Sequence, residues 1–203
     1  MPCLREGGAH RAEFNVRRAR GDLLAATWLV AETRSPCEDS AMRTHIQSAT
    51  PREVLLVASN GGHLLQLLQL ADLWPAATRH WVTFEKSDAV SLLAGERTTW
   101  AHHPTNRNVL NLLRNFGLAL GLVRRSKIQA IVTTGAGVAV PFVIVGRVLG
   151  INVVYIESMA RITSPSLTGR LVYPFADVFI VQWPGLQRFF KRARLFGTVF
   201  DPS

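Results

Sequence analysis

The sequence predicts an α/β fold, a Rossmann-like doubly wound parallel sheet, and three observations carry that prediction. From residue 52 onward, short β-rich runs alternate with helical runs, the order expected of a parallel sheet with helices on both faces. Two strand-like runs, at 54–57 and 151–156, are almost unbroken apolar stretches, as strands covered on both sides should be. Glycines directly follow two strands, in SNGGH at 59–63 and TGAGV at 134–138, where such folds turn from strand into helix beside a ligand.

Along the chain, residues 1–50 hold Gly7, Gly8, scattered arginines and a polar stretch around Pro36, with one weak helix-like piece at 23–30. They are expected to form an irregular, partly disordered N-terminal extension. Residues 51–203 are expected to form a single domain. Its strands are predicted at 54–59, 80–85, 98–102, 130–134, 152–157, 178–182 and 194–199, each rich in β-branched, aliphatic or aromatic residues. Its helices are predicted at 63–73, 88–93, 107–126, 138–149, 167–173 and 185–191. The first is the leucine-rich HLLQLLQL, and the fourth carries Pro141 within its first turn. The apolar runs at 23–31 and 136–146 fall short of the roughly 20 residues that cross a bilayer as a helix. A signal peptide and a spanning helix are therefore not expected, and 136–146 reads as part of a buried core helix.

Charge is uneven. Residues 1–50 hold seven arginines against six acids, whereas residues 51–203 hold sixteen Lys and Arg against eight acids. A basic folded part favours anionic partners such as nucleic acid, lipid headgroups or a diphosphate substrate. Cys3 and Cys37 form no metal-binding spacing, and adjacent His102 and His103 on a strand would point apart, so no metal site is expected. Neither G-x-S-x-G nor G-K-[ST] occurs.

The glycine loops are the first candidate site. Gly61 and Gly62 let the backbone pass close to a ligand beside Asn60, and a helix N-terminus suits a phosphate. His63 heads that helix and titrates near neutrality, which suits proton transfer; the plainer reading is a tight turn with a packed histidine. Gly135 and Gly137 repeat the arrangement one crossover later, on the same edge of the sheet. A nicotinamide-binding fold competes, because Glu85 ends the second strand where an acid would hold a ribose. The adjacent glycines, with Leu65 in place of a third small residue, depart from its G-x-G-x-x-G. The second candidate site is the end of the strand at 152–157, where Glu157, Ser158 and Arg161 sit at the ligand edge of the sheet. There Arg161 would meet a phosphate or pair with Glu157.

SNGGHLLQLLQL, TTGAGVAVP and above all ESMARITSPSLTGRLVYPFADVFIVQWPGL at 157–186 resemble the family of asparagine-linked-glycosylation protein fourteen, over about residues 53–200. The resemblance implies one half of an inverting glycosyltransferase built of two facing Rossmann-like domains, the N-terminal, acceptor-binding half of a GT-B enzyme. It implies polysaccharide or oligosaccharide biosynthesis, with a sugar moved from a UDP-sugar such as UDP-N-acetylglucosamine to a lipid-diphosphate-linked acceptor. No cofactor is expected in this chain; the UDP-sugar would sit on a separate nucleotide-sugar-binding subunit, without which the chain would be inactive. Carried over by position, Gly61, Gly62, His63, Gly135 and Gly137 would line the acceptor site; Asn60, Ser158 and Arg161, read from their places at the same edge of the sheet, would bind the acceptor and its phosphates beside them. His63 would be the first candidate base and Glu157 the second. Ser59 and Asn60 stand where the family commonly has glycine and serine.

Eukaryotic members of that family usually start with a spanning helix, and none long enough is expected here, so attachment is expected to be peripheral, at the cytoplasmic face of a membrane, with no nucleic-acid partner. The helix at 107–126 is the expected attachment surface. Val109, Leu112, Leu113, Phe116, Leu120 and Val123 are read as one face, widened by Leu110, Leu118 and Leu122. Arg107, Arg114, Arg124, Arg125 and Lys127 would meet lipid phosphates; the same helix also reads as an ordinary core helix with basic ends. Trp183 and the segment 195–200 are candidate contacts with the second subunit. A nucleotide-dependent oxidoreductase and a recruiting scaffold that touches no substrate remain the other functional readings.

Overall fold

The computed structural model describes residues 53–105 and 108–200, so the extension expected at 1–50 lies outside the described residues, as does Arg107. Seven strands form one wholly parallel sheet: β1 Glu53–Val57, β2 Arg79–Thr83, β3 Thr98–Trp100, β4 Ile128–Thr133, β5 Asn152–Ile156, β6 Val178–Val181 and β7 Arg194–Leu195. Their order is β3-β2-β1-β4-β5-β6-β7. The winding runs outward from β1 to β3, then reverses and runs the other way from β4. Reversal between β1 and β4 opens a crevice at the carboxyl ends of those two strands.

Among the described residues, five α-helices connect the strands: α1 Gly62–Leu68, α2 Ser87–Leu92, α3 Val109–Arg125, α4 Ala139–Val148 and α5 Leu167–Val172. The period-two alternation of a strand assigns residues of β1 to opposite faces. Val54 and Leu56 join Leu64, Leu67 and Trp74 in a core under α1, which also holds Ala89 of α2. Leu55 and Val57 join Ala119, Val123 and Phe142 in a second core under α3 and α4. A third cluster, around stacked Tyr155 and Phe179 at 4.8 Å, packs beneath α5.

Four elements differ most from the sequence expectation. The first helix divides into α1 and a 3₁₀ turn at Ala71–Leu73. The strand expected at 98–102 stops at Trp100, because the N–H and C=O of His102 are both taken by the side-chain amide of Asn115, at 2.9 Å each. His102 and His103 therefore lie on a loop and not on a strand. The strand expected at 194–199 pairs only through Leu195; Gly197 takes φ 77° and ends it. The helix expected at 185–191 is a 3₁₀ turn, Pro184–Leu186, followed by single turns that bring Leu186 and Phe190 into the third core.

α3 departs most from the pattern. Its core-facing stripe is Asn111, Asn115, Ala119 and Val123, and the two asparagines spend their amides on Pro104 and His102 backbone. Of the residues read as a single apolar face, only Val123 is buried. Val109, Leu113 and Leu120 face solvent together with Leu110, while Leu112 and Phe116 are half-buried. Leu118 and Leu122 pack at the edge of the second core. Among the described residues no helix is long and apolar enough to cross a membrane.

Candidate functional site

The first glycine loop leaves β1 and turns at Gly61, whose φ 69° and ψ −136° suit glycine alone. Two of its donors are already occupied. The Asn60 side-chain amide donates to Asp88 Oδ1 at 3.0 Å and to the Phe84 carbonyl at 3.2 Å, and the Gly61 N–H donates to Asp88 Oδ2 at 3.2 Å. Burial pushes the Asp88 carboxyl up, but hydrogen bonds from the Ala89 N–H, Asn60 and Gly61 outweigh it and hold the pKa below its ordinary value. An acid of this chain thus occupies donors that the sequence reading offers to a phosphate. Asn60 at the family's serine position explains how the loop reaches Asp88.

His63 turns the other way, across the switch point. Its Nδ1 lies 2.8 Å from the Thr134 carbonyl, while Thr134 Oγ1 donates to the His63 carbonyl at 2.8 Å. These reciprocal bonds fasten the two glycine loops to each other. A carbonyl only accepts, so Nδ1 carries the proton and Nε2 keeps its lone pair. Burial pushes the His63 pKa down; the Thr134 carbonyl and the Glu157 charge oppose this, and Arg161 adds to it. The net direction leaves a neutral imidazole at pH 7.

The second loop is built in left-handed backbone: Gly135 has φ 101° and Ala136 has φ 68°. A Cβ on Gly135 would lie 2.7 Å from the Tyr155 hydroxyl. Ala136 is the one non-glycine residue with positive φ among the described residues, a costly conformation that tends to collect at ligand sites. No sequence signal marks it beyond its place between two glycines.

Glu157 is 1% exposed and acts as a hub. Oε1 accepts from the Ser158 N–H at 3.0 Å, and Oε2 accepts from the Ser166 N–H at 3.3 Å and its hydroxyl at 3.0 Å. Ser166 also caps α5 by accepting from the Gly169 N–H at 2.8 Å. Gly169 leaves the room in which the carboxylate sits, since a Cβ there would collide with Oε2. Arg161 forms no ion pair with Glu157; it is exposed and lines the crevice.

Behind Glu157 lies a buried amide pair that sequence reading missed. Gln66 Oε1 accepts from the Met159 N–H at 3.0 Å and from Gln182 Nε2 at 2.9 Å; Gln182 Nε2 also reaches the Glu157 carbonyl at 2.9 Å. The half-buried Trp183 donates its indole N–H to the Met159 carbonyl at 2.6 Å and so braces the same loop. A glutamine on the inner face of a leucine-rich helix was the available signal.

The crevice so framed encloses about 720 Å³. Of the predicted residues, His63, Gly137, Ser158 and Arg161 line it. Asn60, Gly61, Gly62, Gly135 and Glu157 do not, although Glu157 and Gly135 shape its wall. Ser59, Ser166 and Thr168 add polar groups, and Leu112, Val140, Leu167 and Leu171 add apolar ones.

Residues 78–199 match the profile of the family described as oligosaccharide biosynthesis protein Alg14 like. The chain belongs to that family. This Alg14-like chain is 32% identical over 180 residues to the UDP-N-acetylglucosamine transferase subunit ALG14 of Eremothecium gossypii, covering 73% of this chain and 80% of that one. It is 28% identical over 184 residues to the subunit of the same name from Homo sapiens, covering 74% and 85%. Among solved structures it superposes on MurG of Acinetobacter baumannii with TM-score 0.57 at 20% identity, over 66% of this chain and 43% of that one. UDP-N-acetylglucosamine 2-epimerase from Rickettsia bellii gives TM-score 0.58 at 10% identity, over 74% and 46%. The chain spans less than half of each solved structure, and at these identities the likeness establishes the Rossmann-like fold alone.

Proposed function

We propose that this chain is the acceptor-binding subunit of a two-chain inverting glycosyltransferase, moving a sugar from a UDP-sugar on a partner subunit to a lipid-diphosphate-linked acceptor. One observation carries the reading: at the switch point, His63 Nδ1 is tied to Thr134 while the ring lines a crevice that also holds Arg161. The acceptor hydroxyl gives its proton to Nε2 as its oxygen attacks the anomeric carbon. The bond from that carbon to the UDP oxygen breaks on the opposite face, which inverts the centre. The Thr134 carbonyl then stabilises the imidazolium that forms. Arg161, unpaired within the crevice wall, suits the acceptor diphosphate, whereas Asp88 of α2, bonded to the first loop, would repel it. The diphosphate is therefore assigned to the side of Ser158, Arg161 and the second loop. Glu157 is a positioning residue here, because both its oxygens hold the backbone that presents Ser158 and Ser166.

Family membership supports a subunit role, and a fold that matches 43% and 46% of the two solved structures suits a facing domain supplied by a second polypeptide. The outward apolar face of α3, with Val109, Leu110 and Leu113 beside Arg114, supports peripheral attachment to a membrane. If the salt-washed protein, with and without its partner, fails to bind anionic vesicles, that attachment is wrong. The catalytic reading is tested with radiolabelled UDP-N-acetylglucosamine and a lipid diphosphate acceptor. The isolated chain is expected to transfer nothing until its partner is added, and His63→Ala to lower transfer at least tenfold with the fold retained. Transfer by the chain alone, or full activity of that variant, overturns the assignment.

A further inference from the structure

The crevice lining is of two kinds. His63, Ser158 and Arg161 are polar; Leu112 of α3 and Leu167 and Leu171 of α5 are apolar. Leu167 and Leu171 lie four residues apart and so share one face of their helix. They are 73% and 52% exposed. Their placement is built, because the Ser166 cap that starts α5 is itself held by the buried Glu157 carboxylate. Large aliphatic groups left open in a crevice that also holds a histidine and an arginine mark a ligand with apolar surface to cover them. A sugar nucleotide offers no such length of hydrocarbon, whereas a branched chain ending in a diphosphate matches both kinds of lining at once.

We propose that this crevice seats the first isoprene units of the acceptor lipid against Leu112, Leu167 and Leu171, with the diphosphate on Arg161. The inference rests on the acceptor-side reading above and deepens it: the protein, and not the bilayer alone, recognises the hydrocarbon next to the diphosphate. The volume of about 720 Å³ lies within the range of pockets that enclose most of a drug-sized ligand. Val109 and Leu113 stand on the same helix as Leu112 but outside the crevice, at 69% and 60% exposed, and supply an internal control.

The test is calorimetric titration of the full chain with inorganic pyrophosphate and with geranyl diphosphate. Each buried methylene is worth about fourfold in affinity, so a seated ten-carbon chain is expected to bind at least tenfold tighter than pyrophosphate. The double substitution L167S/L171S, at exposed positions that leave the fold intact, is expected to bring the two ligands within about threefold, through loss of geranyl diphosphate affinity alone. V109S/L113S is expected to keep the preference. Equal binding of both ligands overturns the isoprene subsite and leaves the acceptor-side reading standing, whereas failure of both to bind overturns both. A preference that survives L167S/L171S, or one that V109S/L113S also removes, reports adhesion elsewhere and overturns the subsite.

Discussion

The two glycine loops look alike in sequence and do different work. The first spends the Gly61 N–H and its asparagine on Asp88 and brings Ser59 and His63 to the crevice. The second presents backbone: Gly135 and Ala136 take positive φ, and Ala136 and Gly137 line the crevice directly. A strand followed by glycines thus marks a place where chain and ligand can approach. Whether the loop offers its amides or closes them on a neighbour depends on what the next helix brings.

The sharpest way to break that contrast is a paired substitution. Gly135→Ala forces a Cβ against Tyr155 in left-handed backbone and is expected to cost about 3 kcal/mol in denaturant unfolding. Gly62→Ala, with open space around its Cβ, is expected to stay within about 0.5 kcal/mol. Equal losses would mean that the second loop is no more constrained than the first.

Behind the second loop, Glu157→Gln turns a donor toward the N–H of Ser158 or Ser166 and should cost about 2 kcal/mol. Unchanged stability would show that those bonds are not what holds the crevice wall.

The first loop's titratable contribution is sharpened by pH. Burial lowers the pKa of His63, so the base is free at pH 7. Partner-dependent kcat/KM should stay flat from pH 8 to about 6.5, its ordinary value, and fall only below it, as the ring protonates. An acid limb that His63→Gln leaves in place would belong to another group.

The smallest effect is expected at Asp88. Its lowered pKa means that its contribution to stability is present above about pH 4 and lost as pH falls through the folded value. Asp88→Ala should lower transfer a few-fold by loosening the loop that carries His63, and Asp88→Asn, which keeps one acceptor, less. If Asp88→Ala raises acceptor affinity with transfer intact, the carboxylate blocks a phosphate site instead of setting the loop.

The alternation of strands and helices was legible because burial on both faces leaves unbroken runs such as Leu55, Leu56 and Val57. His63, Gly137, Ser158 and Arg161 were legible as crevice residues because glycine turns and strand ends fall at the ligand edge of a parallel sheet. Asp88 and Gln66 were not: each acts through a partner 27 or more residues away, Gly61 and Met159 respectively. α3 misled for a related reason. Its apolar residues outnumber its polar ones, yet two asparagines took the inward stripe, because the loop at 102–104 needed hydrogen-bond partners that leucine cannot provide.

By itself, then, the sequence determined the class of fold, the two turns beside a ligand, the acidic strand end and the family. These are local patterns, written in hydrophobic period and glycine placement within a few residues. Only the tertiary structure decided that the sheet reverses between β1 and β4, which joins the turns through His63 and Thr134, and that Asp88 closes one of them. Strand order and side-chain partnership across long separations are settled by how whole layers pack, and no short stretch of chain encodes them.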